Sequence, residues 1–318
     1  MEDNDDDVDL ARLALARSGR PHVLEVARDG AEAVARLADE RARHALPAFV
    51  VLDWNLPKVA GRNVLREIRG NPWTSRVPVV VYSTSRLEQD VLDAYVMGGN
   101  SYIRKSVDFG NFTRHVSLLL EYWLGINLPP HVERAPYGRA GATTGPGPDA
   151  PIWECRGVSA RADRRYEVMV IDSHEQDRLL TCGALSPVVA PQEIAEMCTY
   201  GDAVRYFAEV GGPPPHLSPN APWLLVVETD LADGDGHNLL QALRYRFDHF
   251  GVTVVLTRDA SPGFVSECYR LKVNGVVRKP DDPVEYARVV RTLGEYWFGV
   301  NERPPAPTKT IRASAHPG

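Results

Sequence analysis

Five residues in the first half of the chain have side chains that could together carry phosphoryl chemistry. Asp53, Ser83 and Lys105 each follow or end an apolar run, and Glu2 and Asp3 lie near the start. A carboxylate can attack a phosphoryl group and form an acyl phosphate, while a hydroxyl and an ammonium bind phosphoryl oxygens. Three carboxylates in one pocket repel each other, and oxygen ligands without His or Cys favour Mg²⁺. These residue types therefore predict a magnesium site beside a nucleophilic Asp53.

The order of these landmarks recurs in the second half of the chain. The matched pairs are Asp53 and Glu228, Ser83 and Thr257, Lys105 and Lys279, and the Glu-Tyr-Trp segments 121–123 and 295–297. The offsets are 175, 174, 174 and 174 residues, a register that chance does not hold over four landmarks. A repeat of this length predicts two domains, each able to bury its own core. Because Glu228 replaces Asp53, we expect one reactive module and one that cannot react.

Apolar strands alternate with helical patterns. In the first half, a short apolar run covers residues 23–27, and predicted strands cover 49–52, 77–82 and 101–104. Predicted helices cover 31–37, 63–69, 87–97 and 109–124. Continuous apolar strands joined through helices indicate a parallel sheet covered on both faces. The prediction is therefore an α/β fold with two doubly wound, flavodoxin-like sheets of order 2-1-3-4-5. The carboxyl ends of such strands are where ligands bind, which would bring the landmark residues together.

Composition shifts divide the chain into four segments. We predict a first domain over residues 1–126, a linker over 127–164, a second domain over 165–301 and a tail over 302–318. The linker is rich in Pro and Gly, which is typical of interdomain connections. A Pro-rich loop insertion is also predicted within the second domain, over residues 211–222.

The first domain has no counterpart of the apolar strand at residues 166–171 of the second. The chain begins at Met1, which aligns with Ile171 at the end of that strand. A strand at this place is central in a sheet of the predicted order, and its absence would remove about five buried side chains. We hypothesise that the natural start lies upstream of Met1. The alternative is that another segment fills the gap.

Overall composition narrows the class of protein. Hydrophobic residues make up 44% and charged residues 25% of the 318 residues, as in ordinary globular domains. No apolar run approaches the ~20 residues that span a bilayer, and no signal-peptide pattern is present. Four widely spaced cysteines favour reduced thiols in a cytoplasm. A net charge of −6 without a concentrated basic stripe argues against a nucleic-acid partner.

These motifs resemble those of the response regulator receiver family of two-component signalling, over residues 1–126 and 165–300. The motifs are Glu2-Asp3, Asp53 within Asp-x-x-Leu-Pro-x-x-x-Gly, the run 79–83, and Tyr-Ile-Arg-Lys at 102–105. The acidic start and the Glu-Tyr-Trp-Leu segment resemble the phytochrome-associated single-domain subgroup. The resemblance implies that Asp53 accepts a phosphoryl group from a histidine kinase or a phosphotransfer protein.

The resemblance also implies roles for the neighbours of Asp53. Glu2, Asp3, Asp53 and the backbone carbonyl of Asn55 would bind Mg²⁺, and Lys105 would bind the phosphoryl group. The next acidic run, residues 5–7, is predicted to be a solvated helix entry and not a further set of metal ligands.

Two positions match the residues that rearrange when a receiver is phosphorylated. Ser83 supplies the hydroxyl and Tyr102 the aromatic ring. The second copy keeps the hydroxyl in Thr257 but has Val276 in place of the aromatic residue. In the first copy, Ser106 stands where the family has a proline after the lysine.

The second copy resembles a pseudo-receiver. Glu228 replaces the phosphoacceptor, Ser173 replaces the second acid, and Asp172 and Lys279 are retained. The glutamate places a negative charge about where an acyl phosphate would be, beside Lys279. Functional mimicry of the phosphorylated state and a purely structural salt bridge both remain open.

We therefore expect a cytoplasmic response regulator, and not an enzyme, that signals through protein contacts with an unknown downstream protein. The Tyr-Trp pairs at 122–123 and 296–297 are predicted to pack in the core, with a homodimer or interdomain contact as the alternative. A phosphorylation-independent adaptor built from receiver folds is the second functional hypothesis. A phosphohydrolase with an aspartate nucleophile is the third, but such enzymes place a second Asp where this chain has Asn55.

Overall fold

The computed structural model describes residues 1–17, 19, 22–43, 46–106, 108–130, 166–210, 222–246 and 251–303. Most of the predicted linker, the tail beyond residue 303, and residues 211–221 of the predicted loop insertion lie outside these residues. We refer to the described residues up to 130 as the first unit and to those from 166 onward as the second unit.

Strands alternate with helices along both units, and all pair in parallel except β7 and β8, which form an antiparallel pair. The strands are β1 Val50–Leu52, β2 Val79–Ser83, β3 Ser101–Arg104, β4 Val168–Ile171, β5 Ile194–Met197, β6 Leu224–Val227, β7 Asp230–Leu231, β8 Gly234–Asp235, β9 Val252–Thr257 and β10 Gly275–Arg278. The helices are α1 Asp5–Arg17, α2 Gly30–Arg43, α3 Gly61–Gly70, α4 Glu88–Val96, α5 Phe109–Leu120, α6 Glu175–Leu185, α7 Tyr200–Val210, α8 Gly236–Gln241, α9 Pro262–Arg270 and α10 Pro283–Gly299. A π-helical segment, Glu121–Ile126, continues α5.

The two units differ in the number of strands in their main sheets. The second unit has five parallel strands in the order β10-β9-β6-β4-β5, with β4 between β6 and β5. The described part of the first unit has three, in the order β1-β2-β3. Strands buried on both faces explain the nearly continuous runs of Val and Leu in both sheets.

Met1 and Glu2 lie beside β1, where the second unit has the end of β4. The Met1 backbone nitrogen donates to Val51 O (2.8 Å), and Asp53 N donates to Met1 O (3.1 Å). Glu2 N then donates to Ala27 O (3.0 Å). The corresponding bonds of the second unit join Glu228 N to Ile171 O and Asp172 N to Met197 O, in the same register.

The short apolar run at residues 23–27 does not form a strand in the structure. Val23 is 88% exposed, whereas the equivalent strand β5 pairs with β4 along its whole length. An apolar run becomes a strand only where a partner strand offers its hydrogen-bonding groups, and among the described residues the backbone bond recorded for this run is that of Glu2 N to Ala27 O.

A glycine eight residues after each central acid lets a helix approach the end of the strand. A Cβ at Gly61 would overlap the carbonyl oxygen of Asp53, and one at Gly236 would overlap the backbone of Thr229. The shared spacing therefore reflects close packing of α3 on β1 and of α8 on β6.

The largest hydrophobic cluster contains residues of both units. The Tyr122 and Tyr296 rings stack with centroids 4.4 Å apart and planes 8° apart. Trp123 Nε1 donates to Tyr296 Oη (2.7 Å), which also contacts Ser101 Oγ at 2.7 Å. Both Tyr-Trp pairs are fully buried, so the core-packing prediction and the interdomain alternative are both observed.

A reciprocal pair of asparagines completes the contact between the units. Asn127 Oδ1 accepts from Tyr269 Oη (2.9 Å) and from Val276 N (3.1 Å). The mirrored bonds run to Asn301 Oδ1 from Tyr95 Oη (2.9 Å) and Tyr102 N (3.1 Å). Each asparagine thus lies against the last strand of the other unit, through the bridges between residues 127 and 277 and between 301 and 103. The outer edges of β3 and β10 would otherwise be exposed, and the asparagine segments cover them. The exchange of equivalent contacts is like that in an isologous dimer.

Two further observations concern the cysteines and membrane insertion. Cys198 is disulfide-bonded, so the expectation of four reduced thiols is wrong at that position, while Cys182 and Cys268 are free. Within the described ranges, no helix is long and apolar enough to cross a membrane.

Replacing Tyr296 with Phe tests the contact between the units. The change leaves the buried Trp123 Nε1 without its acceptor, and we expect a loss of about 1–3 kcal/mol in the free energy of unfolding, measured with urea. Tyr82→Phe is the matched control, because Tyr82 Oη is buried without a hydrogen-bond partner among the described residues. Equal losses in the two variants would contradict the proposed role of the Tyr296 hydroxyl.

Candidate functional site

The carboxyl ends of three adjacent strands of the first unit carry the predicted chemical residues. Asp53 follows β1, Ser83 ends β2, and Lys105 follows β3. Asp53 is 7% exposed, and its Oδ2 accepts a hydrogen bond of 2.6 Å from Lys105 Nζ. Its Oδ1 accepts one of 2.9 Å from the backbone N–H of Asn55, whose side chain is exposed. Each oxygen of the Asp53 carboxylate therefore accepts one hydrogen bond, Oδ2 from Lys105 and Oδ1 from Asn55.

Lys105 is the centre of an acidic cluster. Its Nζ binds Glu2 Oε2 (2.7 Å), Asp7 Oδ2 (2.9 Å) and Asp53 Oδ2 (2.6 Å). Asp7 comes from the first turn of α1, so the acidic run at residues 5–7 is a helix entry, as predicted. Its pairing with Lys105 was missed, and the position of Asp177 in the repeat is the signal that could have revealed it.

The acidic cluster fits a small divalent cation bound through oxygen. Carboxylate oxygens of Glu2, Asp3 and Asp53 all lie within 4.8 Å of one another. With Asp7, four carboxylates belong to this cluster, and Lys105 Nζ binds three of them. Burial raises the pKa of Glu2, against the opposing effect of Lys105. A hard cation would relieve the remaining repulsion.

Ser83 and Tyr102 lie on the next strands of the same edge. Ser83 is fully buried, and its Oγ accepts from Ser85 N (3.2 Å). The Tyr102 ring is also fully buried, and its Oη donates a long hydrogen bond (3.4 Å) to Ser85 O. Burial raises the pKa of this phenol. The two residues therefore meet at the segment that follows β2.

The second unit has a more deeply buried version of the lysine-centred cluster. Lys279 Nζ binds Asp172 (2.5 Å), Glu228 (2.7 Å) and Asp177 (3.0 Å), and its side chain is 0% exposed. Glu228 Oε1 also accepts from the backbone N–H groups of Thr229 (2.6 Å) and Asp230 (3.2 Å). The glutamate is therefore fully engaged with groups of its own unit.

Arg258 brings a second cation to this cluster, which sequence reasoning did not anticipate. Its guanidinium binds Asp177 through Nη1 (2.6 Å) and Nη2 (3.2 Å). Three carboxylates thus face two cations, whereas the cluster of the first unit has four carboxylates and one cation. Asp172, His174 and Asp177 lie close enough to hold an ion, but both carboxylates already bind Lys279.

The two remaining predicted positions of this site bond to backbone groups. Ser173 Oγ donates to Asp230 O (3.0 Å), and Thr257 Oγ1 accepts from Asp259 N (3.1 Å). Ser173 therefore offers a neutral hydroxyl where the first unit offers the carboxylate of Asp3.

The pKa values of Asp177 and Lys279 reflect the pairing of opposite charges in the second cluster. Burial disfavours the charged form of Asp177, but hydrogen bonds from Arg258 and Lys279 outweigh it and lower the pKa of this carboxyl. Burial also works against the Lys279 ammonium, and the charges of Glu228 and Asp172 outweigh it and raise its pKa. The cations and carboxylates of the second cluster therefore stabilise each other's charged forms.

Comparison with known proteins identifies the family. The family model described as response regulator receiver domain matches residues 1–117. The chain is 38% identical over 132 residues to Response regulator Rcp1 of Synechocystis sp. (strain ATCC 27184 / PCC 6803 / Kazusa), covering 41% of this chain and 90% of that protein. It is also 38% identical over 131 residues to the probable methanogenesis regulatory protein FilR2 of Methanothrix harundinacea (strain 6Ac), covering 41% of this chain and 84% of that protein.

Solved structures of similar proteins include two response regulators. The phosphorylated cyanobacterial phytochrome response regulator RcpA is 43% identical, with 39% of this chain and 90% of that chain covered and a TM-score of 0.38. The Mn²⁺-bound form of Rcp1 is 35% identical, with 41% and 95% covered and a TM-score of 0.39.

The chain belongs to the response regulator receiver family. Its N-terminal residues, to about 120, form a receiver domain with a flavodoxin-like α/β fold, and they resemble the Rcp1 regulators. Receiver domains bind Mg²⁺ or Mn²⁺ at an acidic pocket and accept phosphoryl groups from histidine kinases or phosphotransfer proteins.

Removing the buried ammonium of the second cluster tests its role in stability. Lys279→Met leaves three buried carboxylates without their central partner, and we expect a loss of about 3–5 kcal/mol in the free energy of unfolding at pH 7. The matched control is Lys58→Met, because Lys58 is exposed and pairs with a single acid, Asp29. Urea unfolding of both variants measures the difference.

The loss should depend on pH in a defined direction. The folded pKa of Asp177 lies below its unfolded value, so its stabilisation is complete above about pH 4 and is lost as pH falls through the folded pKa. Lys279→Met removes part of that lowering, so the difference from the wild type should shrink between pH 7 and pH 3. A difference that grows on acidification would contradict this account.

Proposed function

We propose that this protein is a tandem response regulator in which only the first receiver is phosphorylated. The proposed boundaries are a receiver over residues 1–126, a linker over 127–164, a degenerate receiver over 165–301 and a tail over 302–318. The observation that carries the proposal is the contrast between the two lysine-centred clusters. In the first, Lys105 binds three carboxylates and Asp3 adds a fourth close to two of them, whereas in the second Lys279 and Arg258 bind three carboxylates.

Asp53 is the proposed phosphoacceptor. One carboxylate oxygen would form a bond to phosphorus while the phosphorus–nitrogen bond of a donor phosphohistidine breaks. The imidazole leaves with the bonding electrons and takes a proton from solvent. Lys105 Nζ lies 2.6 Å from Asp53 Oδ2. At this distance it can neutralise charge on a phosphoryl oxygen bound to Asp53.

Glu2, Asp3, Asp53 and the backbone carbonyl of Asn55 are the proposed holders of Mg²⁺. When bound, the ion neutralises charge on the phosphoryl oxygens, so that an anionic group can approach an anionic nucleophile. The support in this chain is the close approach of the three carboxylates.

The second receiver is proposed to be unreactive. Arg258 and Lys279 already neutralise the carboxylates that would hold a metal, and Ser173 supplies no charge. Glu228 accepts hydrogen bonds from two backbone N–H groups and pairs with Lys279. These contacts favour a structural salt bridge over mimicry of a phosphorylated state.

Output is proposed to pass through protein contacts and not through chemical turnover. Tyr102, the proposed switch residue together with Ser83, is bound by the second unit through both of its backbone groups. Its N–H donates to Asn301 Oδ1 (3.1 Å), and its carbonyl accepts from Glu302 N (2.7 Å). A rearrangement at Asp53 that moves β3 would therefore reach the second receiver directly. The downstream protein and the cognate kinase are unknown.

Phosphorylation of the full chain tests this function. With acetyl phosphate or a histidine kinase and Mg²⁺, we expect the mass of one phosphoryl group per chain, and none after Asp53→Asn or in EDTA. Intact-mass spectrometry at neutral pH measures the gain. No mass gain in the wild type would favour a phosphorylation-independent adaptor. Sustained hydrolysis of a generic phosphate ester, lost in Asp53→Ala, would favour the phosphohydrolase.

Restoring the acid type in the second unit should not restore reactivity. In an Asp53→Asn background, Glu228→Asp supplies an aspartate at the phosphoacceptor position but leaves Arg258, Lys279 and Ser173 in place. We expect no mass gain under the same conditions. Phosphorylation of this double variant would show that the second site is limited only by its glutamate.

A further inference from the structure

A cleft of about 320 Å³ lies between the two units, away from both lysine-centred clusters. Its lining includes five cationic side chains, which belong to Arg69, Arg76, Arg244, Arg270 and Lys272. Among the described residues that line it, none carries a carboxylate. This concentration of positive charge contrasts with the net charge of −6 for the whole chain. We name this feature the basic cleft.

The Arg69 charge in the basic cleft is not paired with a carboxylate among the described residues. Its guanidinium donates to the carbonyl oxygens of Gly98 (2.8 Å) and Val77 (2.8 Å), and to Asn100 Oδ1 (2.9 Å). These are neutral acceptors, so they satisfy its hydrogen bonds but leave its charge. Arg270 differs, because it pairs with Glu267, whose charge also interacts with Arg76.

Two cations of the basic cleft have lowered pKa values. Burial lowers the pKa of Arg69 to about 10. Burial and then the charges of Arg244 and Arg69 lower the pKa of Lys272. A bound anion would raise the pKa values of Arg69 and Lys272 again, because it would favour their charged forms.

Backbone geometry sets Lys272 apart. Lys272 has a φ of 61°, in the left-handed region that favours glycine, and the equivalent position of the first unit is Gly98 with a φ of 92°. The second copy therefore has a lysine in a backbone conformation that favours glycine, and the first copy has glycine at the equivalent position.

The basic cleft is shared nearly equally by the two units. Arg69 and Arg244 are equivalent in the repeat, as are Tyr95 and Tyr269, and all four line the cleft. A ligand with two anionic groups would meet cations from both sides. Guanidinium groups bind phosphate oxygens in paired geometry, and a volume of this size is at the lower end of small-molecule sites.

We propose that the basic cleft binds a small compound carrying two linked phosphate groups and that the compound bridges the two units. The site is independent of Asp53 and of any divalent cation. Binding would hold the units in the orientation fixed by the asparagine contacts, because cations of both units contact one ligand.

Calorimetric titration of the full chain tests the proposal. Sodium pyrophosphate and ADP are the probes, in EDTA and at constant ionic strength. We expect saturable binding of one molecule per chain to at least one of them. Similar affinity for the two probes would assign recognition to the diphosphate alone, and tighter ADP binding would add a contact to the nucleoside. The absence of saturable binding for both probes would overturn the proposal.

A matched pair of lysine variants separates a specific site from general charge attraction. Lys272→Gly removes one cation at a left-handed position, and so does Lys58→Gly, because Lys58 has a φ of 62° and lies outside the cleft. We expect Lys272→Gly to weaken binding at least about tenfold, the scale of one charge-assisted hydrogen bond, and Lys58→Gly to leave it unchanged. Equal weakening by both variants would overturn the proposal.

A second cleft variant guards against an indirect effect of the backbone change. Arg244→Gln keeps a side chain of similar length but removes the charge, and we expect a loss of affinity similar to that of Lys272→Gly. Unchanged binding in both cleft variants, with unfolding temperatures equal to that of the wild type, would also exclude the basic cleft as the site.

Discussion

Carboxylates gathered at the ends of parallel strands must be neutralised, and this requirement organises both units. Each unit has a lysine after its last strand, and this lysine binds three carboxylates. The second unit adds Arg258 and buries Lys279 completely. The first unit adds a further acid, Asp3, and leaves the balance negative. The same electrostatic constraint therefore yields a closed ionic cluster in one unit and a cluster that favours a cation in the other.

Packing between the units imposes a different constraint, and the two copies respond to it alike. Tyr122 and Tyr296, and Asn127 and Asn301, occupy equivalent positions and make exchanged contacts. A pseudo-symmetric surface of this kind works only if both halves keep the groups that make the exchanged contacts. The chemical positions are free of this requirement. This explains why these tyrosines and asparagines match in the two copies while Asp53 and Glu228 differ.

The sequence alone predicted those features that depend on one element at a time. Asp53, Ser83 and Lys105 could be grouped because the carboxyl ends of parallel strands share one edge. The apolar run at residues 23–27 could not be assigned to an element, because an apolar run does not reveal whether a partner strand exists. The pairing of Asp7 with Lys105 and that of Arg258 with Asp177 were missed because each joins two different elements. The match of Asp7 with Asp177 in the repeat is the signal that marks the first pairing, and no comparable signal marks the second.

The basic cleft escaped sequence reasoning for a related reason. Its cations come from helices and turns of both units, so they form no stripe along the chain and appear only when two surfaces meet. A net negative chain can therefore hide a local positive site. Net charge limits long-range attraction, but it says little about a cleft a few side chains wide.

Strand β3 connects these features physically. Asn100, next to β3, accepts from Arg69 in the basic cleft through Oδ1, and its Nδ2 donates to the backbone carbonyls of Val273 (3.3 Å) and Asn274 (3.4 Å). Tyr102, within β3, is bound to Asn301 and faces the segment beside the Asp53 site. A tilt of one unit against the other must break hydrogen bonds at both ends of this short strand. Events at the acidic cluster and at the basic cleft therefore act on the same set of contacts, which is the physical condition for coupling two separate sites.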